Sequence, residues 1–208
     1  MSGDVHVRFC ERLGVRFPRA THPICHCRSE AQALKLRQAL EQRFAECRLQ
    51  LHPQKTKVVY CNDANRPGTY PERCLDFLGY TFRPRSAQNR DGKRFVSFLP
   101  AVSNKAVKRM RQSVRRWRLH RRNDLELQDI ADWVRPVLGG WVRYYGRFYP
   151  SKLRAELRTI DAFIVRWAIR KYKRFRGHTK AVWTWLRALK RRAPKLFAHW
   201  SGLEPMAG

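Results

Sequence analysis

The sequence predicts an α+β chain in two parts: a small mixed part to about residue 100, then an all-helical part. Three observations carry this. Before residue 100, short runs rich in β-branched and aromatic residues surround a single helical stripe. From Ser103 the apolar period changes from 2 to 3.6 and stays there to Trp200. The charge changes too: residues 101–200 hold 27 Lys and Arg against 6 Asp and Glu, or +21 of a total net charge of +29.

Residues 1–23 show no sustained period and contain Pro18 and Pro23, so no element is assigned there. Ile24 to Cys27 reads as a short strand. Ser29 and Gln32 have capping-box spacing, and Ala33, Leu36, Leu40, Phe44 and Cys47 recur at gaps of 3, 4, 4 and 3, which predicts a helix. Thr56 to Cys61 reads as a strand, Leu75 to Phe82 as a second and Arg94 to Leu99 as a third. Asp91-Gly92 signals a hairpin before the third strand, and Pro100 closes this part.

Ser103 caps a helix with Val107, Met110, Val114 and Trp117 inward. Asp124 is the expected cap of the next, with Leu127, Ile130 and Val134 inward. Pro136 and Gly139-Gly140 are expected to kink or break it. Leu153, Leu157, Ile160, Ile164 and Trp167 mark a long helix, Gly177 a stop, and Val182, Trp185, Leu186 and Leu189 a last helix. The tail after Trp200 is expected to fray.

A length of 208 residues, 43% of them apolar and 12% aromatic, argues against general disorder. No apolar run approaches 18 residues, and the N-terminus lacks the apolar core of a secretory signal. A small soluble domain carries a net charge of roughly 2–8. The excess here implies a polyanionic partner, with nucleic acid ahead of an anionic membrane surface. Six Cys without zinc spacing read as buried, reduced thiols in a cytoplasmic protein, and no metal site is assigned.

Two-metal phosphoryl chemistry needs clustered carboxylates. The chain has no Asp-Asp pair. Asp124, Glu126, Asp129 and Asp132 share one helix and read as a charge-balancing face. No His or Cys spacing suggests a nucleophile, no glycine-rich phosphate loop is present, and no catalytic residue is assigned. Binding is better supported, because Lys and Arg on outer helix faces neutralise phosphates and release counterions. Trp141, Tyr144, Tyr145, Tyr149 and Tyr172 stand among these cations, where aromatic rings can stack on unpaired bases. Trp117, Trp141 and Trp167 lie on apolar stripes and read as core.

Four blocks in order resemble bacterial group II intron reverse transcriptase/maturases: CRSEAQAL from Cys27, LHPQKTKVVYC from Leu51, FLGYTFRPR from Phe77 and GGWVRYYGRF from Gly139. The resemblance runs from about residue 24 to the C-terminus. It implies a partial reverse-transcriptase palm over 24–100, a helical thumb and maturase-specific domain over 101–200, and a tail over 201–208. Gly140, Trp141, Tyr144, Tyr145 and Gly146 match the maturase hallmark. Residues 1–23 are an atypical segment, such as a shifted reading frame would produce.

The family's Tyr-Ala-Asp-Asp motif, whose Asp pair binds catalytic Mg²⁺, falls on Arg19-Ala20-Thr21-His22-Pro23, which holds no Asp. The fingers and most of the palm have no counterpart. The resemblance therefore implies a C-terminal fragment that binds intron RNA and assists its splicing. It derives from an RNA-directed DNA polymerase in a mobile genetic element, and Mg²⁺ belongs only to the full-length family enzyme. Lys55, Phe77, Leu78, Gly79 and Tyr80 match vestigial polymerase motifs.

The expected RNA contacts are Lys105, Lys108, Arg109, Arg111, Arg115, Arg116 and Arg118 on the first basic helix, and Arg143, Tyr144, Tyr145 and Arg147 around the hallmark. Arg166, Arg170, Lys171, Lys173, Arg174 and Arg176 complete the set. Partners are group II intron RNA or another structured RNA, with no membrane. Three alternatives stay open: the C-terminal part of a split, active reverse transcriptase completed by an N-terminal fragment, a generic basic nucleic-acid binder, and an inert relic.

Overall fold

The computed structural model describes the backbone of Val5–Arg8, and residues 24–66 and 68–201. The chain is α+β and divides into two compact units, Met1–Leu99 and Pro100–Gly208.

In the first unit, β1 (Val5–Arg8) lies between β2 (Ile24–Cys27) and β3 (Lys57–Tyr60), antiparallel to both. Val5 pairs with Cys27 on one side and Tyr60 on the other. No strand was expected within residues 1–23. Its four residues, Val-His-Val-Arg, are too few to show a period, and only pairing on both sides makes them a strand. Helix α1 (Glu30–Glu46) packs on this sheet through Ala33, Leu36 and Leu40. Ser29 Oγ accepts the Gln32 amide, as its spacing predicts, while the Gln32 side chain accepts from Arg28 N–H.

The second sheet is β4 (Leu75–Phe77), β5 (Tyr80–Gln88) and β6 (Arg94–Val102), in that order. The single strand expected over Leu75 to Phe82 is instead a hairpin, with Phe77 paired to Tyr80. Leu78 (φ 48°) and Gly79 (φ 80°) form its two-residue turn, and both have the positive φ a type I′ turn requires. A leucine in this conformation is a poor turn signal, which hid the reversal. Cys27 and Cys61 are buried, but Cys47 and Cys74 are exposed, against the expectation of buried thiols. Among the described residues no cluster of three or more His, Cys, Asp or Glu can hold a metal.

The second unit is helical. Ser103 caps α2 (Asn104–Trp117), its Oγ accepting the Ala106 amide at 3.1 Å. A 3-10 turn, Leu119–Arg121, leads to α3 (Leu127–Tyr145). The cap of α3 is Glu126 rather than Asp124. Asp129 returns a bond to the Glu126 amide and closes a capping box, so it has a structural use beyond charge balance.

Helix α3 runs unbroken through Pro136, Gly139 and Gly140, where a break was expected. Intrinsic propensity opposes it by about 5 kcal/mol for one Pro and two Gly. Ile130, Val134 and Leu138 are each at most 1% exposed, and burying three such side chains contributes about 4.5–9 kcal/mol. Packing therefore overrides propensity.

Helix α4 (Pro150–Lys171) buries the predicted stripe of Leu153, Leu157, Ile160, Ile164 and Trp167. After a second 3-10 turn, Lys173–Phe175, and Gly177 at φ 77°, come α5 (Thr179–Arg192) and the short α6 (Ala198–Ser201). These helices share one core from Val102 to Phe197. The expected fraying concerns residues 202–208, outside the described residues.

Candidate nucleic-acid interface

Helix α2 turns Val107, Met110 and Val114 into the core. The same 3.6-residue period puts Lys105, Lys108, Arg109, Arg111, Arg115 and Arg116 outside, where all six are exposed. The helix ends in Arg118, which holds the left-handed conformation (φ 49°, ψ 38°). For a residue other than glycine this costs about 1–2 kcal/mol. Buried Leu119 and the Arg121 N–H to Arg118 carbonyl bond (2.7 Å) offset that cost. The turn throws the chain toward α4 and places Arg118 and Arg121 beside its arginines.

Between α2 and α4 lies a cleft of about 410 Å³, lined by Arg111, Val114, Arg115, Thr159, Ala162, Phe163 and Arg166. Arg111 Nη2 lies 2.5 Å from Glu156 Oε2, which anchors it to α4. Arg166 rests 5.1 Å from the Phe163 ring centroid. His120, 6.5 Å from the Phe163 ring, registers the local field. Burial first, and then the charges of Arg170, Arg121, Arg166 and Arg118, hold its imidazole below its ordinary pKa. Among the described residues Arg115, Arg118, Arg121, Arg166 and Arg170 have no carboxylate partner. Arg115 and Arg166 line the cleft, while Arg118, Arg121 and Arg170 add positive charge around His120.

The structure thus gathers Arg111, Arg115, Arg118, Arg166 and Arg170 of the sequence-predicted set. It adds Arg121, Thr159 and Phe163, whose approach depends on how α2 crosses α4. Arg143, Tyr144 and Arg147 lie elsewhere, exposed at the C-terminal end of α3 and its exit. Tyr145 is half-buried, edge-on to Tyr144 at 4.7 Å, and burial raises its pKa. Lys173, Arg174 and Arg176 are exposed around the second 3-10 turn, Arg174 lying 4.8 Å from the Phe175 centroid.

Lys171 has a structural role instead. Its Nζ donates to the Leu125 carbonyl at 2.8 Å and the Asn123 carbonyl at 3.2 Å, and pairs with Glu126 at 2.6 Å, tying the end of α4 to the start of α3. Trp167 is fully buried and donates to the Arg122 carbonyl at 2.9 Å. Trp117 and Trp141 stack at 5.8 Å against the core. In the first unit, Lys55 is exposed in the turn before β3, and Phe77 to Tyr80 form the β4–β5 hairpin with Leu78 at its tip, 66% exposed.

A buried carboxylate knits the far side of the second unit. Asp161 on α4, 3% exposed, accepts from Lys190 Nζ at 2.5 Å, lies 3.2 Å from His199 Nε2, and accepts from Trp200 Nε1 at 3.0 Å. Burial pushes its pKa up, but the hydrogen bonds from His199, Lys190 and Trp200 outweigh this and hold it below its ordinary value. Burial lowers the His199 pKa, against the opposing pull of the Asp161 hydrogen bond. Sequence reading passed over Asp161. The available signal was an acidic residue four positions after Leu157, inside the apolar stripe.

The second unit is thus a strongly basic helical domain. Residues 107–183, from within α2 to within α5, match the family profile of the group II intron, maturase-specific domain. That match lies within the second unit and supports a maturase-related role for it. The palm-like blocks at Cys27, Leu51 and Phe77 lie outside the matched residues. No curated protein and no solved structure matches the chain. No helix among the described residues is long and apolar enough to cross a membrane.

Proposed function

We propose that the chain binds structured group II intron RNA through the α2–α4 cleft and the basic faces around it, and so assists intron folding for splicing. The observation that carries this is the cleft itself. Arg115 of α2 and Arg166 of α4 line it without a carboxylate partner, Arg111 lines it while pairing with Glu156, and Thr159 adds a hydroxyl to the wall. Such a surface meets consecutive phosphates and fixes the register of a backbone.

The first unit is read as the edge of a reverse-transcriptase palm, with Lys55 and the Phe77–Tyr80 hairpin as vestigial motifs. The residues present do not fit a catalytic Mg²⁺: the window aligned with the family's Asp pair holds no carboxylate, and no described cluster replaces it. DNA synthesis would need that pair from an N-terminal partner fragment.

The test is a filter-binding salt titration with a group II intron RNA and an unrelated structured RNA of equal length. Six to ten phosphate contacts imply a loss of roughly 10³–10⁵ in affinity between 50 and 200 mM salt. Tighter intron binding that persists at high salt is expected. Arg115→Gln and Arg166→Gln should each lower the salt slope by about 1. Equal affinity for both RNAs at every salt concentration would refute a maturase surface and leave a generic basic binder.

A further inference from the structure

Helix α3 has a second face that the core does not use. Ile130, Ala131, Val134 and Leu138 point inward. Trp133, Val137, Gly140 and Tyr144 follow at gaps of 4, 3 and 4, which on an α-helix places them within an arc of about 60°. Trp133 and Tyr144 are each 46% exposed and Val137 is 40% exposed. Phe148, one turn further on, is 50% exposed. A solvated helix face would carry charge here, and this one carries rings.

Gly140 stands at the centre of the stripe. A Cβ built there meets nothing within 4 Å, and the same is true at Gly139. Neither has the positive φ that would require glycine. Internal packing therefore gives no reason for glycine in mid-helix. Its effect is to leave helix backbone open between Trp133 and Tyr144, where a flat group can come close.

We propose that this α3 stripe is a docking face for unpaired RNA bases, with Trp133 and Tyr144 as stacking platforms and Gly140 as the point of closest approach. This rests on the reading of the domain as RNA-binding and names which part of the RNA the face takes. Charge selects the occupant. A second copy of a unit this basic is repelled, whereas a polyanion is attracted. The Arg122 guanidinium lies 5.4 Å from the Trp133 centroid and Arg147 lies 5.9 Å from that of Phe148. Arg122 is also paired with Asp124 at 3.2 Å, so it is Arg147 beside the Phe148 ring that offers a stacking surface next to a phosphate partner. The exposed large side chains are mostly aromatic, as stacking requires. The cleft then supplies charge-driven affinity, and the stripe supplies preference for unpaired over duplex RNA.

The test uses the full chain, a mixed-sequence 12-nucleotide single-stranded RNA and the matching duplex, at fixed salt. Trp133→Ala should weaken single-strand binding about ten- to a hundredfold and leave duplex binding within about twofold. Gly140→Ala should raise the thermal midpoint by about 2–4 °C yet weaken single-strand binding, a combination that damage to the fold cannot produce. Arg115→Gln should weaken both RNAs together.

If the wild type binds RNA and both α3 variants bind the single strand like wild type, the stripe proposal is overturned while the RNA-binding reading survives. If the wild type binds neither RNA, both fail. A concentration-dependent dimer that Trp133→Ala abolishes would make the stripe a self-association face and overturn the proposal.

Discussion

Asp161→Asn tests the buried knot of the helical unit. The substitution keeps shape and removes charge. It leaves Lys190 Nζ, now 2.5 Å from its carboxylate, facing an amide, and strips His199 and Trp200 of a charged partner. Breaking a buried ion pair by altering one member costs about 3–5 kcal/mol. The Lys190 side chain is 32% exposed and can recover some hydration, which lowers the expectation to about 2–3 kcal/mol. All seven Trp lie between residues 117 and 200, so tryptophan fluorescence reports on this unit alone. In urea, with a slope of roughly 1–3 kcal/mol/M, the midpoint should fall by about 0.7–3 M. Repeating the substitution in a Lys190→Met background should show coupling of at least about 1 kcal/mol. A midpoint shift below about 0.3 M, with no coupling, would refute the assignment of Asp161 as the residue that fastens α5 and α6 to α4.

Two further outcomes follow from the same physics. His199 and His120 both have lowered folded-state pKa values, so the unfolded chain binds protons more readily. Their contribution to stability is complete above the unfolded histidine pKa near 6.5 and is lost as pH falls from there toward the folded values. Asp161, also lowered, adds a second loss below the ordinary carboxylate range. Urea midpoints measured by tryptophan fluorescence should be flat above about pH 7 and decline below 6.5, and a midpoint unchanged down to pH 5 would contradict this. Amide hydrogen exchange should be slowest in α3 and α4 and faster throughout α1 and β2–β3, because the first sheet's core centres on Cys27 and Ala33 while the helical core runs from Val102 to Phe197. Equal protection in both would contradict it.

What could be read before the structure depended on whether the signal was local. Ser29 and Ser103 were legible as caps because the bond each makes is to an amide three residues ahead. The α2 and α4 stripes were legible because 3.6 residues per turn fixes which side chains share a face. Elements set by distant partners were not. β1 exists through pairing on both sides, and α3 persists because a buried stripe outweighs Pro136 and two glycines. The basic character of the candidate interface was visible in composition. The gathering of Arg115, Arg118, Arg121, Arg166 and Arg170 depends on a left-handed turn at Arg118 and on how two helices cross, and sequence spacing encodes neither.

The sequence alone determined that this chain carries a long basic helical domain, since charge and period are properties of residue order. Only tertiary structure decided which cations converge and which are used internally. It placed Lys171 on three oxygens at the start of α3 and Asp161 beneath Lys190, His199 and Trp200. It also left Trp133 outside while Trp167 went in, because burial is set by which neighbours the fold brings to a side chain rather than by the side chain's own hydrophobicity.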